Sequence, residues 1–153
     1  ETSNFGSAPT KFDYEILKNV SAKYLNKSNY SDISRYLSTS GVPNDIAPDF
    51  WEMARENIEN RFDIMGLWEL CVNGVDPLIS PEDVDFVQTS VKFLPQRPWD
   101  KTTWKEWTDR LKESTGRKGK NLYLPLRKAL TGKESGPDMN KLLPLLQTIR
   151  LLN

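Results

Sequence analysis

The sequence predicts an all-α protein, and three observations lead to that class. Apolar residues recur every three or four positions through most of the chain, the spacing that places them on one face of a helix. No segment alternates between apolar and polar residues for more than three or four positions, as a half-buried strand does. Glycine and proline mostly fall between the periodic segments, where they divide one helix from the next.

The first half of the chain holds four predicted helical segments. The first covers residues 12 to 24, where the apolar residues share one face, and a shorter one covers residues 32 to 37. Pro48 is expected to open the third, which is expected to extend towards Phe62. The fourth ends at Gly74, because glycine after the last apolar residue is a common helix stop.

In the second half, proline and hydroxyl residues mark the expected helix starts. Ser80 is a candidate cap, with Pro81 at the first helical position. Pro125 and Pro137 are expected to open the last two helices, and Pro144 should interrupt the last one. Gly116 is expected to end the helix before Pro125, and Gly132 the helix that Pro125 opens. The residues expected in the core are Val84, Val87, Val91, Leu94, Trp104, Trp107 and Leu111. For the two tryptophans, stacking on nucleic-acid bases is the alternative.

The composition excludes several kinds of site. The chain has no histidine, which removes Ser-His and Cys-His nucleophile pairs and histidine metal sites. Its single cysteine, Cys71, cannot form an internal disulfide and is expected to be a buried apolar side chain. We therefore expect a reduced, cytoplasmic protein. No apolar run approaches the ~20 residues that a membrane span needs.

Opposite charges occupy different parts of the chain, although its formal net charge is zero. Residues 44 to 85 carry eleven acids and two bases, a balance of −9. Residues 101 to 133 carry ten bases and three acids, a balance of +7. Two solvated helical faces would account for this division. A basic segment beside glycine and aromatic residues is also typical of a nucleic-acid site.

The segment GRKGKNLYLPLRKALTG, residues 116 to 132, concentrates the positive charge. It is not a nucleotide-binding P-loop, because its glycines are three residues apart and no Ser or Thr follows Lys120. It is either an exposed connection between two helices or a phosphate-backbone site formed by Arg117, Lys118 and Lys120. Arg127, one turn into the next helix, would then be held rigidly enough to read the edge of a base.

Several segments, in this order, resemble the C-terminal, anticodon-binding half of bacterial glutamyl-tRNA synthetases, which are class I enzymes. They are KFDYEILKNVSAKYL, FWEMARENIENRFD, PEDVDFV, LPQRPWDKTTWKEWTDRLKESTGRKGK, TGRKGKNLYLPLRKALTGKESGP and LLPLL, and the similarity covers roughly residues 11 to 147. The combination of PWD with TTW is most similar to the alphaproteobacterial branch. The resemblance implies a helical cage of two small subdomains. Pro95 to Pro98, between the acidic and the basic parts, is the expected boundary between residues 11–95 and 96–153, and the polar residues 1–10 are the expected linker.

The resemblance also implies roles for single residues. In that family, the arginine of an Arg-Phe-Asp segment contacts the first anticodon base and helps to exclude glutamine tRNA, which implies this role for Arg61. The arginine of a Pro-Leu-Arg segment reads the later anticodon bases, which implies Arg127. The Gly-Pro-x-Met segment that follows makes Gly136 and Met139 candidates for the same pocket. From the residues alone, Arg61 would instead lie at a helix end in a salt bridge with Asp63 or Glu59.

The family's catalytic half, with its ATP motif and Lys-Ser loop, has no counterpart in this sequence. The resemblance therefore implies a chain that catalyses nothing alone and holds no cofactor. ATP and magnesium would be used by the missing catalytic domain, which attaches glutamate to tRNA. The expected partners are glutamate tRNA and that catalytic domain, and we expect a monomer with no membrane association.

Two other functions stay open on the residues alone. The apolar first part and the zero net charge would also suit a helical protein-interaction module without an RNA role. A stand-alone enzyme could use carboxylates such as Asp83 and Asp85, although acids at that position also fit the positive end of a helix.

Overall fold

The computed structural model of the chain describes Leu25 and residues 27 to 151. Within these residues the regular structure is helical and no strand occurs, so the all-α prediction is confirmed. The α-helices are α1 (Tyr30–Thr39), α2 (Ala47–Ala54), α3 (Arg61–Asn73), α4 (Val84–Phe93), α5 (Thr103–Thr115), α6 (Lys120–Thr131) and α7 (Met139–Leu142), with 3-10 turns at Pro81–Asp83 and Leu143–Leu145. The predicted linker and the predicted helix at residues 12 to 24 lie outside the described residues.

Side chains at the helix ends explain where several helices begin and stop. Helix α3 starts at a capping box in which the Asn60 side chain accepts from the first turn and Asp63 accepts from the Asn60 backbone N–H. Helices α3, α5 and α6 end at Gly74, Gly116 and Gly132, whose φ angles of 68°, 76° and 73° are costly for other residues. These three stops match the sequence prediction.

The prediction that the third helix extends towards Phe62 is wrong. Pro48 lies in the first turn of α2 as expected, but α2 ends at Ala54 and Phe62 belongs to the start of α3. Asparagines cause the break, because their side chains bond to backbone groups that a continuous helix would use. Asn57 Nδ2 donates to the Met53 carbonyl at 2.9 Å, and Asn60 caps the next helix.

The prediction that Pro125 opens a helix is also wrong, because α6 begins five residues earlier at Lys120. A proline inside a helix has no N–H for the carbonyl four residues before it, here that of Asn121. The Arg117 guanidinium supplies the missing donor, with Nη1 3.0 Å from the Asn121 carbonyl oxygen. Pro125 is therefore tolerated because a side chain outside the helix satisfies the carbonyl that it leaves without a partner.

Three smaller expectations need correction. Ser80 makes no capping bond, and its hydroxyl accepts from Lys128 Nζ at 3.0 Å instead. Pro137 precedes α7 rather than opening it, and Asp138 provides the cap. Val91 is exposed, because Phe86, Val87 and Ser90 form the buried face of α4. Pro144 falls in the 3-10 turn that follows α7, so the predicted interruption is confirmed.

The buried apolar residues form one cluster to which every α-helix contributes. Trp51 and Trp107 are fully buried, and their indole N–H groups donate to the carbonyls of Ser28 and Ser90 at 2.9 and 2.8 Å. Because both donors are satisfied, the rings are buried without loss of hydrogen bonding. Trp104 is also buried, so the predicted core positions of Trp104 and Trp107 are confirmed, and neither ring is exposed for stacking on a base. The division at residues 95 and 96 stays a prediction.

The end of α3 is held by the C-terminal segment. The Gln147 N–H donates to the Cys71 carbonyl at 2.7 Å, and Arg97 donates to the Leu146 carbonyl at 2.8 Å while its guanidinium stacks on Trp99. These bonds fix the C-terminal turn of the helix whose first turn carries Arg61. Among the helices of the described ranges, none combines the length and apolar content needed to cross a bilayer.

Candidate nucleic-acid interface

A groove of about 590 Å³ lies between the first turns of α3 and the segment that follows α6. This volume is in the ~300–1,000 Å³ range of clefts that bind small molecules or single molecular groups. The lining residues are Asn57, Glu59, Phe62, Asp63, Gly66, Leu67, Leu70 and Val75 on the α3 side, and Thr131, Lys133, Ser135, Gly136 and Pro137 on the other. Residues far apart in the sequence thus meet at one concave surface.

The Arg-Phe-Asp segment forms the edge of the α3 wall. The Asp63 carboxylate accepts from the Glu59 N–H at 2.7 Å and from the Asn60 N–H, so its charge serves the helix start. Arg61 is the first residue of α3, and the expected local salt bridge is absent from the ion pairs of the described residues. Its guanidinium lies 5.6 Å from the Tyr36 ring centroid instead.

Helix stability does not explain a cation at this position. The positive end of a helix dipole disfavours a nearby cation by about 0.3–1 kcal/mol. Arg61 is exposed, and the Tyr36 hydroxyl donates to the Arg61 carbonyl at 3.1 Å, which fixes the backbone beneath it. The arginine is therefore anchored at its backbone, immediately before the groove residue Phe62 in the sequence, and its side chain is exposed.

The opposite wall includes Gly136 and Pro137, and the Arg127 side chain contacts both of these residues. Its Nη1 donates to the Pro137 carbonyl at 2.9 Å, and a Cβ added at Gly136 would lie 3.6 Å from the same nitrogen. Burial lowers the pKa of the Arg127 guanidinium, and the charge of Asp138 opposes that shift, so the group stays charged. Within the described residues Arg127 makes no other side-chain hydrogen bond, so donors of its guanidinium are available to a ligand.

Gly136 and Met139 are the other two residues that the resemblance suggested for the anticodon pocket, and only Gly136 lines the groove. Gly136 lines the groove and has a φ of 150°, which disfavours any residue with a side chain. The Met139 side chain is only 4% exposed and packs in the core. The structure thus brings Arg127 and Gly136 together, whereas Met139 belongs to the buried core. A role for Met139 in contacting an anticodon stays a prediction.

The basic segment before α6 lines a second cavity, of about 460 Å³. Arg117 is held internally here, with Nη1 2.7 Å from Asp83 Oδ1 and the guanidinium 4.2 Å from the Phe86 ring centroid. Lys118 and Lys120 are exposed and make no ion pair within the described ranges. The predicted phosphate contact therefore has two accessible lysines and one arginine that is already paired.

The structure gives no support to carboxylate catalysis at Asp83 and Asp85. Asp83 is paired with Arg117, and Asp85 is an exposed residue in the first turn of α4. A search of the described residues finds no group of three or more metal-ligating side chains.

Phe62, Gly66 and Lys133 are groove residues that the sequence analysis missed. Gly66 carried a usable signal, because a glycine inside a helix and away from its ends lowers stability without an evident local reason. The position of Lys133 depends on how the segment after α6 folds back towards α3, which no local pattern shows.

Comparison with known proteins identifies relatives of the chain. Residues 69–153 match the family described as anticodon binding domain. The chain is 47% identical over 150 residues to glutamate–tRNA ligase 1 of Ruegeria pomeroyi and 49% identical over 150 residues to glutamate–tRNA ligase 1 of Roseobacter denitrificans. Each alignment covers 98% of this chain and 34% of the relative. The chain thus spans about a third of the length of these curated relatives.

Proposed function

The chain belongs to the anticodon-binding domain family, and we propose that it binds a tRNA anticodon loop in the groove between α3 and the segment after α6. One observation carries this proposal. The groove brings the Arg-Phe-Asp start of α3 opposite the corner where Arg127 is fixed against Pro137 and Gly136. Sequence-specific RNA recognition uses unstacked loop bases, and a fixed guanidinium can bond to their edges.

The exposed lysines at the start of α6, Lys118 and Lys120, supply the second element of the proposed interface. The first turn of α6 contains Lys120 and no acid, so its positive end is not neutralised by a neighbouring carboxylate. Lys118 and Lys120 would attract the phosphate backbone, which positions RNA without reading its sequence. Arg127 would then provide the selectivity and the lysines most of the salt dependence.

The printed names of the relatives suggest the substrate. We propose that the RNA is glutamate tRNA and that the chain acts as part of a ligase that attaches glutamate to it. In that protein, ATP and magnesium would bind a catalytic domain outside this chain, and the chain alone would catalyse nothing. We also propose that the chain is cytoplasmic and monomeric.

A binding assay tests this proposal. The 153-residue chain should bind glutamate tRNA more tightly than glutamine tRNA, and an Arg61→Gln variant should lose about tenfold of this preference, since a good base contact discriminates by about 1–3 kcal/mol. Arg35→Gln is the matched control, because Arg35 is exposed on α1 and away from the groove. Equal binding of both tRNAs by the unmodified chain would contradict the discrimination. No binding of either would contradict the function.

A further inference from the structure

We propose that Tyr36 on α1 is a positioning residue for Arg61, and that the preference for glutamate tRNA over glutamine tRNA depends on it. The inference rests on the proposed function, in which Arg61 contributes to this preference. Tyr36 acts through Arg61, because it restricts the orientation of the arginine side chain before RNA binds. It lies 25 residues before Arg61 in the sequence and is not among the residues that line the groove.

Tyr36 contacts both the backbone and the side chain of Arg61. The Tyr36 hydroxyl donates to the Arg61 carbonyl at 3.1 Å, and the guanidinium carbon of Arg61 lies 5.6 Å from the centroid of the Tyr36 ring. A cation within about 6 Å of an aromatic ring centroid is attracted to the face of the ring. The Arg61 guanidinium forms no ion pair with any described residue, so the Tyr36 ring is the contact that orients it.

The Tyr36 ring is held in place by the fold. Helix α1 begins at a capping box formed by Asn29 and Asp32, and Leu37, the residue after Tyr36, is fully buried. The Tyr36 side chain is half-buried and packs against the apolar cluster. Because packing holds the ring still, a guanidinium attracted to its face samples fewer positions than one surrounded by water.

The hydroxyl bond is not needed to satisfy either of its partners. Arg61 is the first residue of α3, and in an α-helix its carbonyl also accepts from the N–H four residues later. The Tyr36 hydroxyl bonds to it at the surface, where water could replace the carbonyl as a partner. The bond therefore adds little to the stability of the fold, and its effect is to fix the first residue of α3 relative to α1.

An arginine that is oriented before binding can be more selective. A free arginine side chain has many rotamers, and ordering it on binding costs conformational entropy that lowers affinity. If Tyr36 has already restricted Arg61, this cost is smaller for the base that the oriented guanidinium fits. A base with a different edge gains less, since the guanidinium must leave the ring to reach it.

Tyr36→Leu is the main test, because it removes the ring and the hydroxyl and keeps an apolar side chain. The affinity for glutamate tRNA relative to glutamine tRNA should fall about two- to fivefold, the range of an exposed cation–π contact. Tyr36→Phe keeps the ring and should lose less. Tyr30→Leu is the matched control, since Tyr30 is also half-buried on α1 and packs against the core but has no ring contact with Arg61.

A double-mutant cycle with Arg61→Gln distinguishes positioning from simple stabilisation. If Tyr36 acts through Arg61, Tyr36→Leu should not lower the affinity ratio further in a chain that already carries Arg61→Gln. If Tyr36 only stabilises the start of α3, Tyr36→Leu should weaken the binding of both tRNAs equally, with or without Arg61. That second result would overturn the proposal.

A measurement on the chain without RNA tests the positioning directly. The heteronuclear Overhauser effect of the Arg61 Nε–H group in NMR spectra reports its motion on the ps–ns timescale. It should be larger than that of Arg35, which is exposed on α1, and should fall to the Arg35 value in Tyr36→Leu. Equal values for the two arginines in the unmodified chain would contradict the proposal. This comparison needs no variant, so it also decides the case in which Tyr36→Leu does not fold.

The outcomes separate the positioning role from the proposed function. If Arg61→Gln lowers the preference for glutamate tRNA while Tyr36→Leu and Tyr36→Phe leave it unchanged, the positioning role is wrong and the function stands. If Arg61→Gln leaves the preference unchanged, Arg61 is not a selective contact, and the inference is wrong as well. If the unmodified chain binds neither tRNA, both the function and the inference are wrong.

Discussion

Arg117 and Arg127 lie ten residues apart in the same basic segment, and the structure uses them differently. Each donates one guanidinium nitrogen to a backbone carbonyl, Arg117 to Asn121 and Arg127 to Pro137. Arg117 is also paired with Asp83 and stacked on Phe86, so it joins the helix start to the turn before α4. The Arg127 guanidinium makes no second hydrogen bond within the described part of the chain. Its anchored guanidinium is available for a ligand.

The difference teaches that the density of positive charge does not identify the residue that reads RNA. The cluster at residues 117 to 120 contains one arginine with a structural task and two accessible lysines. The groove near Arg127 is lined by few charged residues, but the Arg127 side chain is fixed by a hydrogen bond to Pro137, which lines this concave surface. Selective contacts need such fixed groups, whereas phosphate contacts need only accessible charge.

Arg127→Ala should have the largest effect on binding. A fixed arginine that bonds to a base edge contributes about 1–3 kcal/mol, so we expect glutamate tRNA to bind about 10- to 100-fold more weakly. The midpoint of thermal unfolding should change little, because the side chain makes one hydrogen bond. Arg127→Lys is the control for charge. If the Arg127→Lys variant binds with full affinity, the contact depends on charge alone. Arg127 would then act like Lys118 and Lys120 rather than as a selective contact.

Arg117→Ala should show the reverse pattern, with a large effect on stability. The substitution leaves the Asn121 carbonyl and the partly buried Asp83 carboxylate without their partner, which costs about 1–3 kcal/mol of unfolding free energy. Urea denaturation measures this change. Arg110→Ala is the matched control, because Arg110 forms an exposed ion pair with Glu106. Equal unfolding free energies of the Arg117→Ala and Arg110→Ala variants would contradict a structural role for Arg117.

Replacing Lys118 and Lys120 together by alanine should have the smallest effect. We expect a few-fold loss of affinity that is similar for different RNAs. The slope of log affinity against log salt should fall by about 1–2, since each phosphate contact contributes about 0.7–0.9. Lys92→Ala on α4 serves as a control for net charge. If the loss were confined to glutamate tRNA, the lysines would be part of the selective site.

The sequence predicted those features that depend on residues close together in the chain. The stops at Gly74, Gly116 and Gly132 were found because a glycine after a helix acts locally. The start of α6 was missed because Pro125 leaves the Asn121 carbonyl without its helical donor, and Arg117 supplies the replacement. Arg117 is in turn held by Asp83, which lies 34 residues earlier in the chain. A local pattern cannot show a partner at that distance.

The candidate site was predicted to a similar extent. The resemblance pointed to Arg61, Arg127, Gly136 and Met139. Gly136 lines the groove, Arg127 contacts Gly136 and Pro137, Arg61 directly precedes the groove residue Phe62, and Met139 is buried. Their contacts with an anticodon stay predictions. Phe62 escaped notice because a phenylalanine in a helix has no chemical signature alone, and the signal of Gly66, a glycine inside a helix, does not show what the residue faces. Their accessibility follows only from how the segment after α6 folds against α3.

The single thiol of the chain offers a way to observe α3 without altering it. Cys71 is fully buried near the C-terminal end of this helix, and burial raises the pKa of its thiol to about 12. Thiol reagents attack the thiolate, so they should reach Cys71 only when the helix opens. The rate of labelling at pH 8 therefore reports how often α3 separates from the core. A ligand that binds the first turns of α3 in preference to the open form should slow that rate in proportion to its occupancy.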